Sequence, residues 1–294
     1  MNFETRQKIR QSRLLRPFYK IRQWGLLKKD HTGFIREYLE FEMHVCDYCN
    51  LNCIGCTHFS PLVKPGEDKF IDLDRFQKDI ERINFLFGER FKSIHFMGGE
   101  PLLNPDLAKI IKITRNISKG VNIEIWTNGT LIFKQDEELW KTCKECKADI
   151  RITNYPINFN YEKAKEYLES FGLDVRLSDV NRKVMFKYPL TLKGNNSIKK
   201  EFNHCPIGNK CINLRDGRFY TCPIVPNIRF FNEYFGNKIE TREDDSIDIY
   251  EANSANEIFE FLAKPVQMFR YCDLFNIQKG IEWRPSKKEI SEWV

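Results

Sequence analysis

The stretch Cys49–Cys56 reads CNLNCIGC and places three thiols in one short loop, directly after an extended apolar run. An iron–sulfur cubane has four irons and usually takes four protein thiolates, so a CxxxCxxC loop would hold three irons and leave the fourth open to another ligand. Open metal positions are where metal sites do chemistry. We therefore interpret Cys49, Cys53 and Cys56 as ligands of a catalytic cluster.

Two alternatives exist for this loop. Cys46 and Cys49 form a CxxC, as do Cys53 and Cys56, which is compatible with structural zinc. Zinc ribbons, however, separate their two CxxC pairs by roughly 15–20 residues, whereas here three residues lie between Cys49 and Cys53. A ferredoxin-type cluster uses C-x2-C-x2-C-x3-C-P, in which the spacers stand in another order. The spacing favours the catalytic cluster.

At these residues the chain resembles the radical SAM superfamily, whose CxxxCxxC loop carries a [4Fe-4S] cluster. The resemblance implies that S-adenosylmethionine occupies the open iron and is cleaved to methionine and a 5′-deoxyadenosyl radical, which abstracts a substrate hydrogen. It leaves Cys46 outside the ligand set. The family usually has an aromatic residue just before the third cysteine, against the adenine, where this chain has Gly55. His58 and Phe59 are candidates for that role.

Composition predicts a globular protein with one large and one small domain in its 294 residues. No signal peptide opens the chain, and no window approaches the roughly 18 apolar residues of a membrane span. We therefore expect a cytoplasmic protein whose ten cysteines are reduced and serve as metal ligands or core residues.

Most of the net charge of +6 lies near the N-terminus. Residues 1–36 contain ten Lys/Arg and two Asp/Glu, a local +8, so the remaining residues carry −2. This basic arm is a candidate for an anionic membrane surface or an acidic partner. The alternatives are a solvated helix packed on the barrel and an organelle transit peptide. We expect no nucleic-acid partner.

Short strand-like runs alternate with helical periods from Glu37 to Asp179, which is typical of a parallel α/β architecture. We predict α/β class: a partial (β/α)6 TIM-like barrel over 37–192, with a small C-terminal cysteine-rich α+β extension containing a β-hairpin over 193–294. The predicted strands are Leu39–Val45, Ser93–Met97, Asn122–Thr127, Asp149–Thr153, Asp174–Leu177 and, more weakly, a sixth near Val184–Leu192. The predicted helices begin near Leu73, Asn104, Asp136 and Asn160.

In such barrels the active site lies at the C-terminal ends of the strands. The cysteine loop follows the first predicted strand, a GGEP segment the second, and a Thr-Asn-Gly turn the third. GGEP matches the family segment whose glycines approach the cofactor, and whose glutamate or backbone carbonyls receive the methionine amino group. By analogy, the Thr-Asn-Gly turn contacts ribose, with a plain turn as the alternative. The resulting cofactor-binding candidates are Gly98, Gly99, Glu100, Thr127, Asn128 and Gly129.

Other residues of the predicted barrel are interpreted as core residues or as candidates for substrate binding. Cys143 and Cys146 share a helix stripe with Leu139, which indicates core packing. Arg151 and Thr153 share one face of the fourth strand, and they are candidates for substrate binding if that face points inward. The catalytic acid, base or hydrogen donor is unknown.

A second cysteine set follows the linker at Lys193. Asp216-Gly217, flanked by alternating residues, predicts a two-residue hairpin turn that sets Cys211 opposite Cys222. Directly paired positions have Cβ atoms about 4.5–5.5 Å apart, which suits two thiolates on one metal centre. The complete predicted set is Cys205, Cys211, Cys222 and Cys272.

This region resembles the SPASM and twitch extensions of radical SAM enzymes, which carry auxiliary clusters. A Phe at position 269, where twitch domains often have a cysteine, implies one auxiliary [4Fe-4S] cluster, with zinc as the alternative. Downstream, Ser254-x-x-Glu257 and Ser286-x-x-Glu289 are capping boxes that predict two late helices. We interpret the late aromatics as core rather than as a substrate platform: Phe259, Phe261, Trp283 and Trp293.

Three functional hypotheses result. The first is a radical SAM oxidoreductase or epimerase acting on a small polyol, sugar or aminocyclitol, assisted by the auxiliary cluster and an electron donor such as flavodoxin or ferredoxin. The second is a SPASM-type peptide or protein maturase. The third is a cluster-bearing scaffold without chemistry, which only Gly55 supports.

Overall fold

The computed structural model describes residues 35–178, 184–186, 188–236, 238–274 and 280–294. The predicted basic arm therefore lies almost entirely outside the described residues. In the described ranges no helix is long and apolar enough to cross a membrane.

The centre of the molecule is a mostly parallel sheet in the order β5-β4-β3-β2-β1-β7-β8-β9. Strands β1 to β5 are parallel to one another and lie side by side in sequence order, as predicted. This open sheet confirms the partial barrel. Its strands are β1 Leu39–Cys46, β2 Phe91–Gly98, β3 Asn122–Thr127, β4 Ala148–Ile152, β5 Val175–Leu177, β7 Asn213–Arg215, β8 Arg218–Tyr220 and β9 Ile247–Asp248.

Helices cover one face of the parallel strands. In α1 (Leu73–Phe87), apolar residues recur at helical spacing, the Asp72 side chain accepts the Arg75 amide, and Gly88 ends the helix. The main core forms where α1 to α4 pack on the apolar face of the sheet, and it includes both Cys143 and Cys146, as predicted. The remaining helices are α2 Leu107–Ile117, α3 Glu137–Glu145, α4 Tyr161–Ser170, α5 Ile198–His204, α6 Ile224–Phe235 and α7 Ala255–Leu262.

The C-terminal hairpin extends the same sheet. The Asp216 and Gly217 φ angles are both positive, as the predicted Asp-Gly turn requires, and the register between β7 and β8 is the expected one. Strand β7 also pairs in parallel with β1, so the hairpin lies beside the strand that leads into the cysteine loop. A second apolar core lies among the later elements and contains Cys205, Cys222 and Cys272.

Two local predictions were wrong. The sixth strand forms, as β6 (Val184–Phe186), but it pairs antiparallel with β10 (Gly280–Glu282) in a separate two-stranded sheet. The hairpin occupies a sheet position beside β1 instead. Ser254 does cap α7, whereas Ser286 opens no helix because its amide donates to the Asn52 carbonyl and holds the segment against the cysteine loop.

Candidate functional site

The three predicted cluster ligands lie in the loop after β1, where N–H groups face their sulfurs. The Leu51 amide lies 3.5 Å and the Asn128 side-chain amide 3.7 Å from the Cys49 sulfur. Backbone amides of residues 58–60 face Cys56. Burial raises the pKa of Cys49, and the neighbouring Cys53 and Cys56 raise it further. The three thiols therefore oppose one another's ionisation.

This donor set fits a thiolate-ligated cluster. N–H groups aimed at sulfur stabilise thiolates, and clustered buried thiols ionise readily only when a metal takes up their charge. The Cys46 thiol instead donates to the Tyr48 carbonyl, as suits its exclusion from the ligand set. Among the described residues, no three His, Cys, Asp or Glu side chains are arranged to hold a single metal ion.

The GGE turn after β2 packs directly on the chain that enters the cysteine loop. The Gly99 amide donates to the Cys46 carbonyl at 2.7 Å, and the Glu100 amide to the Tyr48 carbonyl at 3.0 Å. A Cβ at Gly99 would overlap the Tyr48 carbonyl, and one at Gly98 the Cys46 carbonyl. The two glycines are therefore needed for contact between these two backbone segments, whereas the resemblance assigned them to the cofactor.

Glu100 is fully buried and accepts hydrogen bonds from the protein itself. Its donors are the Thr127 hydroxyl at 2.5 Å, the backbone amide of Asn128 at 2.8 Å and the backbone amide of Leu102 at 3.1 Å. Burial nevertheless raises the pKa of Glu100 to about 7. The Glu100 carboxyl group therefore joins two turns, and the choice between this glutamate and backbone carbonyls as receptor of the methionine amino group stays a prediction.

The Thr127-Asn128-Gly129 turn after β3 contacts the cysteine loop. The side-chain amide of Asn128 donates to Asn50 Oδ1 at 2.8 Å, and the side-chain amide of Asn50 donates to the Thr130 hydroxyl at 2.8 Å. The structure thus brings the cysteine loop, the GGE turn and this turn together at one edge of the sheet. The contact with ribose stays a prediction.

The four C-terminal cysteines also come together. Burial raises the pKa of Cys205 to about 11 and that of Cys222 to about 12, and the charges of Cys222 and Cys205 further raise the pKa values of Cys211 and Cys272. The Gly208 amide faces the Cys205 sulfur at 3.0 Å. Four thiolates are the ligand type of both an iron–sulfur cluster and zinc, but among the described residues these thiols are not arranged to hold a single metal ion.

A buried polar chain connects the two cysteine sites. Arg215, on the hairpin, binds Asp47 through two bonds of 2.8 and 2.5 Å. Asp47 contacts His44 at 3.1 Å, and the His44 ring stacks on His58. His58 is thereby occupied, and Phe59 is buried in the second core. The adenine-facing role of either residue stays a prediction.

Polar residues line the sheet face opposite the main core. Glu42, His95, Glu124 and Asp149 are neighbours in register across β1 to β4, and Asn213 of β7 pairs with Glu42. We call this set the polar row. Parallel strands buried on both faces normally read as continuous apolar runs, so the alternating polar positions on these strands were a sequence signal that we missed.

Several side chains of the polar row are held in place. Glu124 accepts from Arg151 at 2.6 Å and from Trp126 at 2.8 Å, and Trp126 stacks on His95 with ring centroids 5.1 Å apart. Arg151 therefore lies on the inward face, as its candidate role required. Within the described part of the chain, one Glu42 carboxyl oxygen and the whole Asn213 amide have no hydrogen-bond partner.

One of the late aromatic residues was assigned to the wrong environment. Trp293 and Phe259 are core residues, as predicted, at 2% and 1% exposure. Trp283 instead lies on the cysteine loop, where its indole N–H faces the Cys53 sulfur at 3.1 Å. No local pattern indicated this contact, because it joins opposite ends of the chain.

Comparisons with known proteins agree with this arrangement. The sequence model of the radical SAM superfamily matches residues 43–168. The chain is 31% identical over 113 residues to the GTP 3′,8-cyclase of Listeria welshimeri, which covers 38% of this chain and 32% of that protein. It is 33% identical over 147 residues to a probable GTP 3′,8-cyclase of Methanococcus vannielii, covering 50% and 44%. The chain thus spans less than half the length of these relatives.

Among solved structures, BtrN in complex with AdoMet and 2-DOIA is similar in fold. The TM-score is 0.53 at 14% identity, covering 83% of this chain and 96% of BtrN. The matched residues 43–168 contain the cysteine loop, the GGE turn and the Thr-Asn-Gly turn, which the structure brings to one edge. Residues 43–168 therefore match the radical SAM superfamily, and this family implies a [4Fe-4S] cluster and S-adenosylmethionine as cofactors.

Proposed function

We propose that this protein abstracts hydrogen from a small polyol, sugar or aminocyclitol and thereby dehydrogenates or epimerises it, assisted by one auxiliary [4Fe-4S] cluster. Cys49, Cys53 and Cys56 would hold the cluster to which S-adenosylmethionine binds. When bound, this pair of cofactors would supply the hydrogen-abstracting radical. An electron donor such as flavodoxin or ferredoxin would be required.

The polar row carries the substrate proposal. Its side chains project from the same strands whose ends hold the cysteine loop and the two turns. Glu42 and Asn213 are 7% and 0% exposed and offer polar atoms without partners in the described ranges. Buried polar atoms of this kind are costly unless a ligand or water satisfies them. Hydroxyl and amino groups of a small polar substrate can form hydrogen bonds with both side chains.

A peptide or protein substrate is the second candidate. The open sheet, with β5 at one edge, favours it because an extended chain has lateral access to an unclosed barrel. The activity of the cyclase relatives does not decide between these candidates, since the match covers less than half of either protein. A basic N-terminal arm that recruits an acidic partner or a membrane surface is compatible with both.

The first experiment is 5′-deoxyadenosine formation by anaerobically reconstituted protein with S-adenosylmethionine and reductant. Small-molecule and macromolecular fractions of the host lysate are added separately. Stimulation by the small-molecule fraction supports our proposal. Stimulation by the macromolecular fraction alone favours the maturase, and no cleavage of S-adenosylmethionine under any condition leaves the scaffold hypothesis.

Asn213→Leu sharpens this test. Replacing an amide that has no described partner by an apolar side chain of similar size should hardly change folding. We expect this variant to lose stimulation by the small-molecule fraction while unstimulated cleavage persists. Thr142→Val is the matched control, because the Thr142 hydroxyl is also buried and without a described partner but lies on α3 in the main core. Equal stimulation of both variants would refute the role of the polar row.

Metal analysis tests the auxiliary site. Two [4Fe-4S] clusters give about eight irons per chain, and one gives about four. The triple variant Cys49→Ala, Cys53→Ala, Cys56→Ala should keep about four irons if the C-terminal set holds a cluster. Retention of zinc without iron would establish the zinc alternative.

A further inference from the structure

The C-terminal segment of the chain is built into the cysteine loop. The Ile54 amide donates to the Arg284 carbonyl at 3.0 Å, the Ser286 amide donates to the Asn52 carbonyl at 2.7 Å, and Cys53 forms an antiparallel bridge with Pro285. The loop and the segment therefore pair like two short antiparallel strands. We call residues 280–294 the C-terminal strap.

Two tryptophans of the strap contact the loop through their indole N–H groups. Trp283 donates to the Cys53 sulfur at 3.1 Å, whereas Trp293 donates to the Cys56 carbonyl at 2.9 Å. Trp283 is half-buried, and its ring lies 6.0 Å from that of Tyr155, which follows β4 at the same edge of the sheet. One tryptophan thus faces a sulfur ligand and the other a backbone oxygen.

Gly55 has a structural explanation in the strap. Its φ angle of +60° is in the left-handed region, which favours glycine. A Cβ there would lie 3.2 Å from the Ile281 side chain and 3.3 Å from the Glu292 carbonyl. The strap therefore occupies the space that a side chain at position 55 requires.

We propose that the strap is a structural wall of the cluster site and that Trp283 is a positioning residue whose N–H···S bond to Cys53 raises the reduction potential of the cluster. Hydrogen bonds to cluster sulfurs are one of the features that set such potentials, because they stabilise the more negative, reduced state. The proposal rests on the cluster assignment above and not on any choice of substrate.

Trp283→Phe and Trp293→Phe form a matched pair for the test. Both variants remove an indole N–H from the same strap, but only the first removes it from a sulfur. In EPR-monitored redox titrations of the reconstituted protein, we expect the midpoint potential of Trp283→Phe to shift to a more negative value. The Trp293→Phe midpoint should stay at that of the wild type, although its cluster should be lost faster because the loop is held less firmly.

A second measurement uses the wild type and does not depend on a variant that folds. Protein labelled isotopically at the indole nitrogen of tryptophan should show coupling of that nitrogen to the reduced cluster in pulsed EPR. The coupling should persist in Trp293→Phe and disappear in Trp283→Phe. The proposal would be overturned if the labelled wild type gave the same pulsed EPR spectrum as the unlabelled protein. Equal midpoint potentials for the wild type and Trp283→Phe would overturn it as well.

The two proposals fail in different ways. Protein that takes up no iron at Cys49, Cys53 and Cys56 would refute the cluster assignment itself. Protein with an intact cluster, normal cleavage of S-adenosylmethionine and no effect of Trp283 on potential or coupling would refute only the role of the strap.

Discussion

The ion pair between Asp47 and Arg215 should be the principal energetic link between the two cysteine sites. Asp47 lies two residues before Cys49, and Arg215 lies on the hairpin between Cys211 and Cys222. Their side chains are 7% and 12% exposed and are joined by two hydrogen bonds. Burial alone raises the pKa of Asp47, but the hydrogen bond from His44 and the Arg215 charge hold it below its ordinary value.

We expect a large loss when one partner is removed. Arg215→Met leaves the buried Asp47 carboxylate with only the longer, 3.5 Å contact to the half-exposed Arg229 among the described ion pairs, and Asp47→Asn leaves a buried guanidinium, at a cost of up to about 3–5 kcal/mol each. The double variant should be less destabilised than the sum, with a coupling energy of about 2–3 kcal/mol for two charge-assisted bonds. Because the pKa of Asp47 is lowered, the stabilisation is present above about pH 4 and is lost as the pH falls through the folded-state value.

Urea unfolding of the four proteins in the cycle measures this coupling. A second cycle on Arg218 and Asp248 is the control, since this pair joins β8 of the hairpin to β9 at 3.1 Å but each side chain is more than 20% exposed. Its coupling should be below about 1 kcal/mol. A coupling energy in the Asp47 cycle no larger than that in the control cycle would refute a strong buried link between the two sites.

Three further predictions concern the turns and the joint between α1 and the hairpin. Gly99→Ala should destabilise the protein by about 3 kcal/mol or more and abolish iron uptake, because the new Cβ overlaps the Tyr48 carbonyl; wild-type iron content in this variant would contradict it. Glu100→Ala leaves three buried hydrogen-bond donors without an acceptor and should lower the free energy of unfolding in urea by about 3 kcal/mol or more. An unchanged urea midpoint would show that these donors find other acceptors. Asp79 on α1 accepts from the backbone amide of Gly217 in the hairpin at 3.1 Å. Burial raises the pKa of Asp79, so the stability of the wild type relative to Asp79→Asn should fall as the pH rises from about 4 towards neutrality. A pH-independent difference would argue against this.

Much of the fold was predictable because its signals are local. The apolar period of Leu73–Phe87 and the glycine after it define α1, and the strand–helix alternation fixes a parallel sheet whose C-terminal edge collects the functional turns. The Asp216-Gly217 turn sets the hairpin register from neighbouring residues alone. The spacing of Cys49, Cys53 and Cys56 likewise identifies the cluster loop without any tertiary information.

Local residue patterns were therefore enough to predict the class of fold, the cysteine loop and the hairpin. Tertiary packing places β7 beside β1, joins two turns through the Glu100 carboxyl group and sets Trp283 against the Cys53 sulfur. Periodicity and turn chemistry act over a few residues, whereas the indole and the sulfur are 230 positions apart in the chain. Such partners are selected by the packing of the whole molecule, and local patterns do not encode that choice.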